Sequence, residues 1–144
     1  MTNLMNVVHP DDSDALKDLK TMKVVYDMNG VSEPKKMMVM LKAIIDARGR
    51  AVAAHVKPDL VIAFRGPALT LVQKPGPDPT GEQKQIGELV AELKKEGTKL
   101  EACNFAANVM NLDPANFLPE LKVVGNTFNS LGGYQAKGYG VISV

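Results

Sequence analysis

Two short apolar runs that do not alternate, Val24-Val25-Tyr26 and Leu60-Val61-Ile62-Ala63-Phe64, constrain the fold of this chain more than any other feature. A strand with one wet face alternates apolar and polar residues. An unbroken apolar run bounded by turn signals instead reads as a strand covered on both faces, the usual condition of a central strand in a parallel sheet. From Met22 onwards such runs alternate with longer helical patterns, the signature of successive βα units. Strands are read at residues 23–27, 59–64, 99–102, 122–124 and 139–143. The expected architecture is α/β, a single domain over residues 22–144 with a mainly parallel five-stranded sheet flanked by helices on both faces. Residues 1–21, where Asp11-Asp12-Ser13-Asp14 reads as an acidic helix start, form an N-terminal arm ahead of it.

The intervening helices carry their own start and stop signals. Ser32 and Pro34 suit a first turn, and Met37, Met40, Leu41 and Ile44 give an inward stripe. That pattern reaches Ala47 and extends through residues 50–54 despite Gly49, stopping before Pro58. After the Pro/Gly-rich loop 73–81, Thr80 and Gln83 form a capping-box pair ahead of the stripe Ile86, Leu89, Val90 and Leu93, and Gly97 closes the helix. A short helix follows Cys103 to Asn111, and Asp113-Pro114 opens a further turn. The final helix, between Asn126 and Lys137, contains Gly132-Gly133 and depends on packing for support, since each glycine costs about 1 kcal/mol relative to alanine.

Composition narrows the function classes. Net charge is +1 over 144 residues with lysine and arginine scattered, so no electrostatic footprint for nucleic acid is expected. No apolar stretch approaches the roughly 18–20 residues of a membrane span, and no basic start followed by an apolar segment marks a secretory signal; a cytoplasmic location is the expectation. His9 and His55 read as surface or structural residues. Two histidines with one cysteine give no metal-ligand spacing, and neither G-x-G-x-x-G nor G-x-x-x-x-G-K-[ST] occurs, so no metal and no cofactor are expected.

The remaining chemistry gathers around the single cysteine. Cys103 stands where a strand pattern gives way to a helix, and a helix N-terminus favours the thiolate, the reactive form of the side chain. One cysteine cannot close an internal disulfide, which leaves its thiol free for chemistry or for a partner's thiol. Ligands of open parallel sheets gather beyond the carboxyl ends of the strands. Those ends deliver Asp27, Met28 and Asn29 from the first strand, Arg65 and Gly66 from the second, and Cys103 and Asn104 from the third. Sulfur transfer suits this set, with Cys103 as nucleophile and Asn29, Arg65, Gly66 and Asn104 as candidate substrate-binding groups. Burial as an inert apolar filler is the competing reading of Cys103.

The ordered segments Val24-Val25-Tyr26-Asp27-Met28-Asn29, residues 59–67, Leu100-Glu101-Ala102-Cys103-Asn104, Leu112-Asp113-Pro114, residues 118–125 and Gln135-Ala136-Lys137-Gly138-Tyr139 resemble the DsrE/DsrF-like family. The resemblance spans residues 22–144. It implies an α/β fold, oligomeric assembly, and in several members a cysteine at the position of Cys103 that accepts and donates sulfur. Some relatives carry a second cysteine shortly afterwards; residues 104–111 contain none, which implies a single-thiol carrier whose resolving thiol comes from a partner protein. The basic residue often found a few places after the cysteine is also absent, Asn108 and Met110 standing there, so anion binding rests on Arg65.

The leading expectation is therefore a small sulfur-carrier or sulfurtransferase-like protein using Cys103. The alternative is a non-catalytic structural or small-ligand-binding member of the same fold with an inert cysteine. A nucleotide- or anion-binding module would need a phosphate cradle that the sequence lacks. The run Met37-Met38-Val39-Met40-Leu41, apolar on more than one helix face, predicts a helix buried partly against another subunit and hence a homo-oligomer.

Overall fold

The computed structural model describes residues 10–144; the first nine residues of the N-terminal arm, His9 among them, lie outside the described residues. The elements in chain order are α1 (Ser13–Leu16), β1 (Thr21–Met28), α2 (Pro34–Ala53), β2 (Lys57–Phe64), a 3-10 turn (Gly66–Leu71), α3 (Gly81–Lys95), β3 (Lys99–Cys103), α4 (Asn104–Val109), a second 3-10 turn (Pro114–Asn116), β4 (Lys122–Val124), α5 (Thr127–Ala136) and β5 (Gly140–Ser143). The five strands form one sheet of order β4-β3-β2-β1-β5, every neighbouring pair parallel. This is a single α/β domain.

Strand order explains where the helices lie. From β1 to β4 the chain steps one way across the sheet, then reverses past β1 to lay down β5. Crossovers between parallel strands are right-handed, so steps in one direction place their helices on one face and a reversal places its helix on the other. Accordingly Met37, Leu41 and Ile44 of α2 and Ile86, Val90 and Leu93 of α3 pack with Tyr26, Ile62, Phe64 and Leu100 in the main core. The second face, Val25, Val61 and Ala63, is covered by Leu131 and Tyr134 of α5 together with Tyr139.

Local boundaries follow from the same forces. The Thr80–Gln83 capping box is formed in both directions, by a 2.9 Å and a 3.1 Å bond. Gly49 lies inside α2, which runs on to Ala53 and closes at His55, an exposed residue with φ of 62°. Pro58 stands within β2 rather than ahead of it, as the register Met22↔Pro58 shows. Tyr139 precedes β5 instead of opening it, because its ring is used against Tyr134, 5.0 Å away edge to face, and its hydroxyl donates to Asp59 Oδ2 at 2.6 Å. That bond is the first cause of a phenol pKa pushed up to about 12, with burial adding to it. In α5, Thr127, Leu131 and Tyr134 repeat at the spacing of one helix face and meet the sheet, while Gly132 and Gly133 face solvent. Packing on one face thus supports a helix whose other face lowers its propensity.

The two faces differ in depth, and substitution should register the difference. Leu41→Ala, at a fully buried position of the main core, is expected to cost about 2–5 kcal/mol. Leu131→Ala, on the half-buried inner side of α5, should cost distinctly less. Urea denaturation of both variants checks the order.

Candidate functional site

At the end of β3 the chain passes directly from strand into α4, and Cys103 is both the last strand residue and the helix cap. Its sulfur accepts the Ala106 N–H of α4 at 3.5 Å. It also accepts the Thr127 N–H, the first residue of α5, at 3.4 Å. Two chain segments that enter helices thus present donors to one sulfur. Asn126 fixes the second of them by capping α5, its Oδ1 accepting from Phe128 N–H at 2.9 Å, and Phe105 N–H holds Gly125 O at 3.0 Å.

These bonds govern the ionisation of the thiol. Burial, with Cys103 only 3% exposed, pushes its pKa up. The Thr127 hydroxyl and N–H and the Ala106 and Phe105 N–H groups, which favour the charged sulfur, outweigh that and leave it below the ordinary thiol value of 9.0. The Thr127 hydroxyl belongs to a fully buried residue and has no hydrogen-bond partner of good geometry among the described residues; the neutral thiol beside it is a weak acceptor.

A cavity of about 250 Å³ opens beside the sulfur, lined by Arg65, Gly66, Cys103, Phe105, Ala106, Val109, Met110, Asn126, Thr127 and Phe128. Its walls are mainly apolar, and Phe105, Val109 and Phe128 are exposed around it. The sequence brings Arg65 and Gly66 to this cavity with Cys103 as expected from the strand ends. Asn29 and Asn104 do not line it. Asn29 turns its amide to Asp27 Oδ2 at 3.1 Å, and Asn104 lies half-buried in the first turn of α4.

Arg65 is engaged elsewhere. Its Nε and Nη2 donate to the two carboxylate oxygens of Asp27 at 2.9 and 3.0 Å, a bidentate pair that holds the guanidinium pKa above its usual value. The same guanidinium lies 5.3 Å from the centre of the Phe128 ring. Its charge is therefore compensated by Asp27 before any ligand arrives, and the planar group serves to join β1, β2 and α5. Gly66, at φ of 59°, turns the chain out of β2 into the 3-10 turn, a conformation that side chains resist. At the strand-order reversal, where ligands of open sheets often bind, backbone bridges the strand ends: Asn29 and Gly30 N–H both donate to Val144 O.

Sequence reasoning missed Thr127 and Phe128. The Asn126-Thr127 pair carries a capping signal, but nothing local says that the helix it starts is aimed at a sulfur twenty-odd residues earlier; only the reversal to β5 does. Among the described residues no cluster of histidine, cysteine and acidic residues could hold a metal ion, and no helix is long and apolar enough to cross a membrane.

Comparison with known proteins agrees with this architecture. A sequence model of the DsrE/DsrF-like family matches residues 22–144. No curated protein matches the chain. Among solved structures, the fold is similar to that of MTH1491, a protein of unknown function from Methanobacterium thermoautotrophicum, with a TM-score of 0.68 at 13% identity, covering 85% of this chain and 99% of that one. It is also similar to the ychN protein from E. coli, with a TM-score of 0.57 at 14% identity, covering 88% and 99%.

The lowered thiol pKa has a signed consequence for stability. The folded state gives up the Cys103 proton at a lower pH than the unfolded chain, so wild-type stability relative to Cys103→Ala should rise with pH through the interval between the lowered pKa and 9.0. That contribution is present in full above the unfolded value and lost as pH falls through the folded one. Paired denaturation curves at several pH values measure it, and a flat difference would contradict the assignment.

Proposed function

The chain belongs to the DsrE/DsrF-like family, and from that premise we propose that it is a sulfur-carrier or sulfurtransferase-like protein that accepts sulfane sulfur on Cys103. The observation that carries this reading is a single sulfur at the floor of an apolar cavity, receiving N–H donors from α4 and α5. Those donors favour the thiolate, which is the form that attacks. With a persulfide donor R–S–SH, the thiolate sulfur bonds to the outer sulfur, the donor's S–S bond breaks, and R–S⁻ leaves with that bond's electron pair; the product is Cys103–S–SH. One S–S bond is exchanged for another and no external oxidant is consumed. The same exchange in reverse sense delivers the sulfur to an acceptor thiolate. Because the described chain offers no second thiol, donor and acceptor thiols belong to other molecules, and a thiol-bearing partner protein is part of the proposal.

Arg65 enters this reading as a wall of the cavity and a weak attraction for the thiolate, not as an uncompensated cation for a sulfonate or thiosulfate. A cytoplasmic location, where thiols stay reduced, and homo-oligomeric assembly complete the proposal. The exposed Val39 beside half-buried Met38 and Met40 on α2 supports the latter, and sedimentation at micromolar concentration should give a mass above 15.5 kDa. The second reading, a non-catalytic member with an inert cysteine, draws on the 3% exposure of Cys103.

Intact mass spectrometry after incubation with an organic persulfide or polysulfide separates the two. Carrier chemistry predicts a reducible addition of one or more sulfur masses to wild type and none to Cys103→Ser. No addition to folded wild type with any donor would transfer the assignment to the inert reading.

A further inference from the structure

We propose that the Thr127 hydroxyl is the donor reserved for the Cys103 thiolate, unpaired while the sulfur is protonated and bonded once it is charged, so that Thr127 sets the acidity of the reactive thiol. The inference deepens the carrier reading and rests on Cys103 being its reactive group.

Three observations converge on it. Thr127 is fully buried, and its Oγ1 has no partner among the described residues. Buried hydroxyls are nearly always paired, so an orphan beside a nucleophile calls for a partner that one state of the site supplies. Its own backbone N–H already donates to Cys103 Sγ at 3.4 Å, and both residues line the same cavity, which brings Thr127 to the sulfur. A protonated thiol is a weak acceptor, whereas a thiolate accepts strongly. Loss of the thiol proton to a solvent base therefore turns an unsatisfied hydroxyl into a charge-assisted donor, and the gain falls on the ionised state alone. The pKa of Cys103 is displaced in the direction this requires, with the Thr127 hydroxyl among the groups that lower it.

The other charged and titratable groups facing the sulfur do not substitute for this donor. Arg65, from the end of β2, is neutralised by Asp27 of β1. Glu101 lies two residues earlier on the same face of β3, where Tyr134 of α5 donates to it at 3.5 Å, and it is not among the groups that lower the Cys103 pKa. Lys122 is paired in register with Glu101, not with Cys103, and is exposed. The remaining cavity walls from α4 and α5 are uncharged.

The test titrates the thiol directly, by ultraviolet thiolate absorbance and by iodoacetamide alkylation rate against pH, with Cys103→Ser as the absorbance baseline. Thr127→Val keeps shape and removes the hydroxyl; its titration midpoint should rise, the thiolate fraction at neutral pH should fall by up to about tenfold for each unit of rise, and alkylation should slow by a smaller factor because a more basic thiolate is the better nucleophile. Thr127→Ser should titrate near wild type. If Thr127→Val does not fold, Thr127→Ala against Thr127→Ser makes the same comparison. Equal midpoints for wild type and the hydroxyl-free variant, or a serine variant that titrates like valine, would overturn the proposal. Neither readout uses sulfur transfer, so a low-titrating thiol that loads no sulfur would remove the carrier function and leave the role of Thr127 standing.

Discussion

The reversal of strand order after β4 is the constraint on which the site depends. A chain that continued stepping in one direction would stack all its crossover helices on the face already filled by α2 and α3. Crossing back to β5 sends α5 over Val25, Val61 and Ala63 instead, and its first residue arrives at the sulfur of Cys103. Handedness of the crossover, a property of the backbone as a whole, thereby determines which atoms surround one side chain.

Electrostatics around that sulfur are local and largely uncharged. Two backbone N–H groups bond the sulfur and a buried hydroxyl accompanies them, whereas the cation that lines the cavity, Arg65, is held by the Asp27 carboxylate. A site built this way stabilises a single charged atom without attracting anions in general. It differs from a sulfur site lined by free lysines or arginines, whose cations would draw small oxyanions from solvent and whose strength would fade with salt. The apolar wall of Phe105, Val109, Met110 and Phe128 acts in the same sense, since an anion entering there loses hydration with little in return.

Much of the fold was legible because its signals are local. The unalternating runs at 24–26 and 60–64 identified the central strands, the Thr80–Gln83 pair marked the start of α3, and strand ends placed Arg65, Gly66 and Cys103 at one rim of the sheet. What was hidden depends on distant pairings. That Asp27 occupies Arg65 follows from β1 and β2 being neighbours in register, Asp27 opposite Ala63. That Asn29 faces Asp27 and not the cavity follows from where its loop bends. Thr127 gave no signal because a threonine after a capping asparagine is ordinary; its meaning comes from Cys103, brought to it by the fold.

One arrangement ties access to reactivity. The wall that hides the sulfur and the groups that make it acidic are partly the same residues, since Thr127 and Phe128 open α5 and line the cavity. Drawing the start of α5 away would admit a larger reactant, but it would also withdraw the Thr127 N–H and hydroxyl and return the thiol toward an unremarkable one. Shelter and acidity of this thiol are therefore coupled, and only a reactant small enough to enter the cavity without displacing α5 would meet the sulfur with its full set of donors in place.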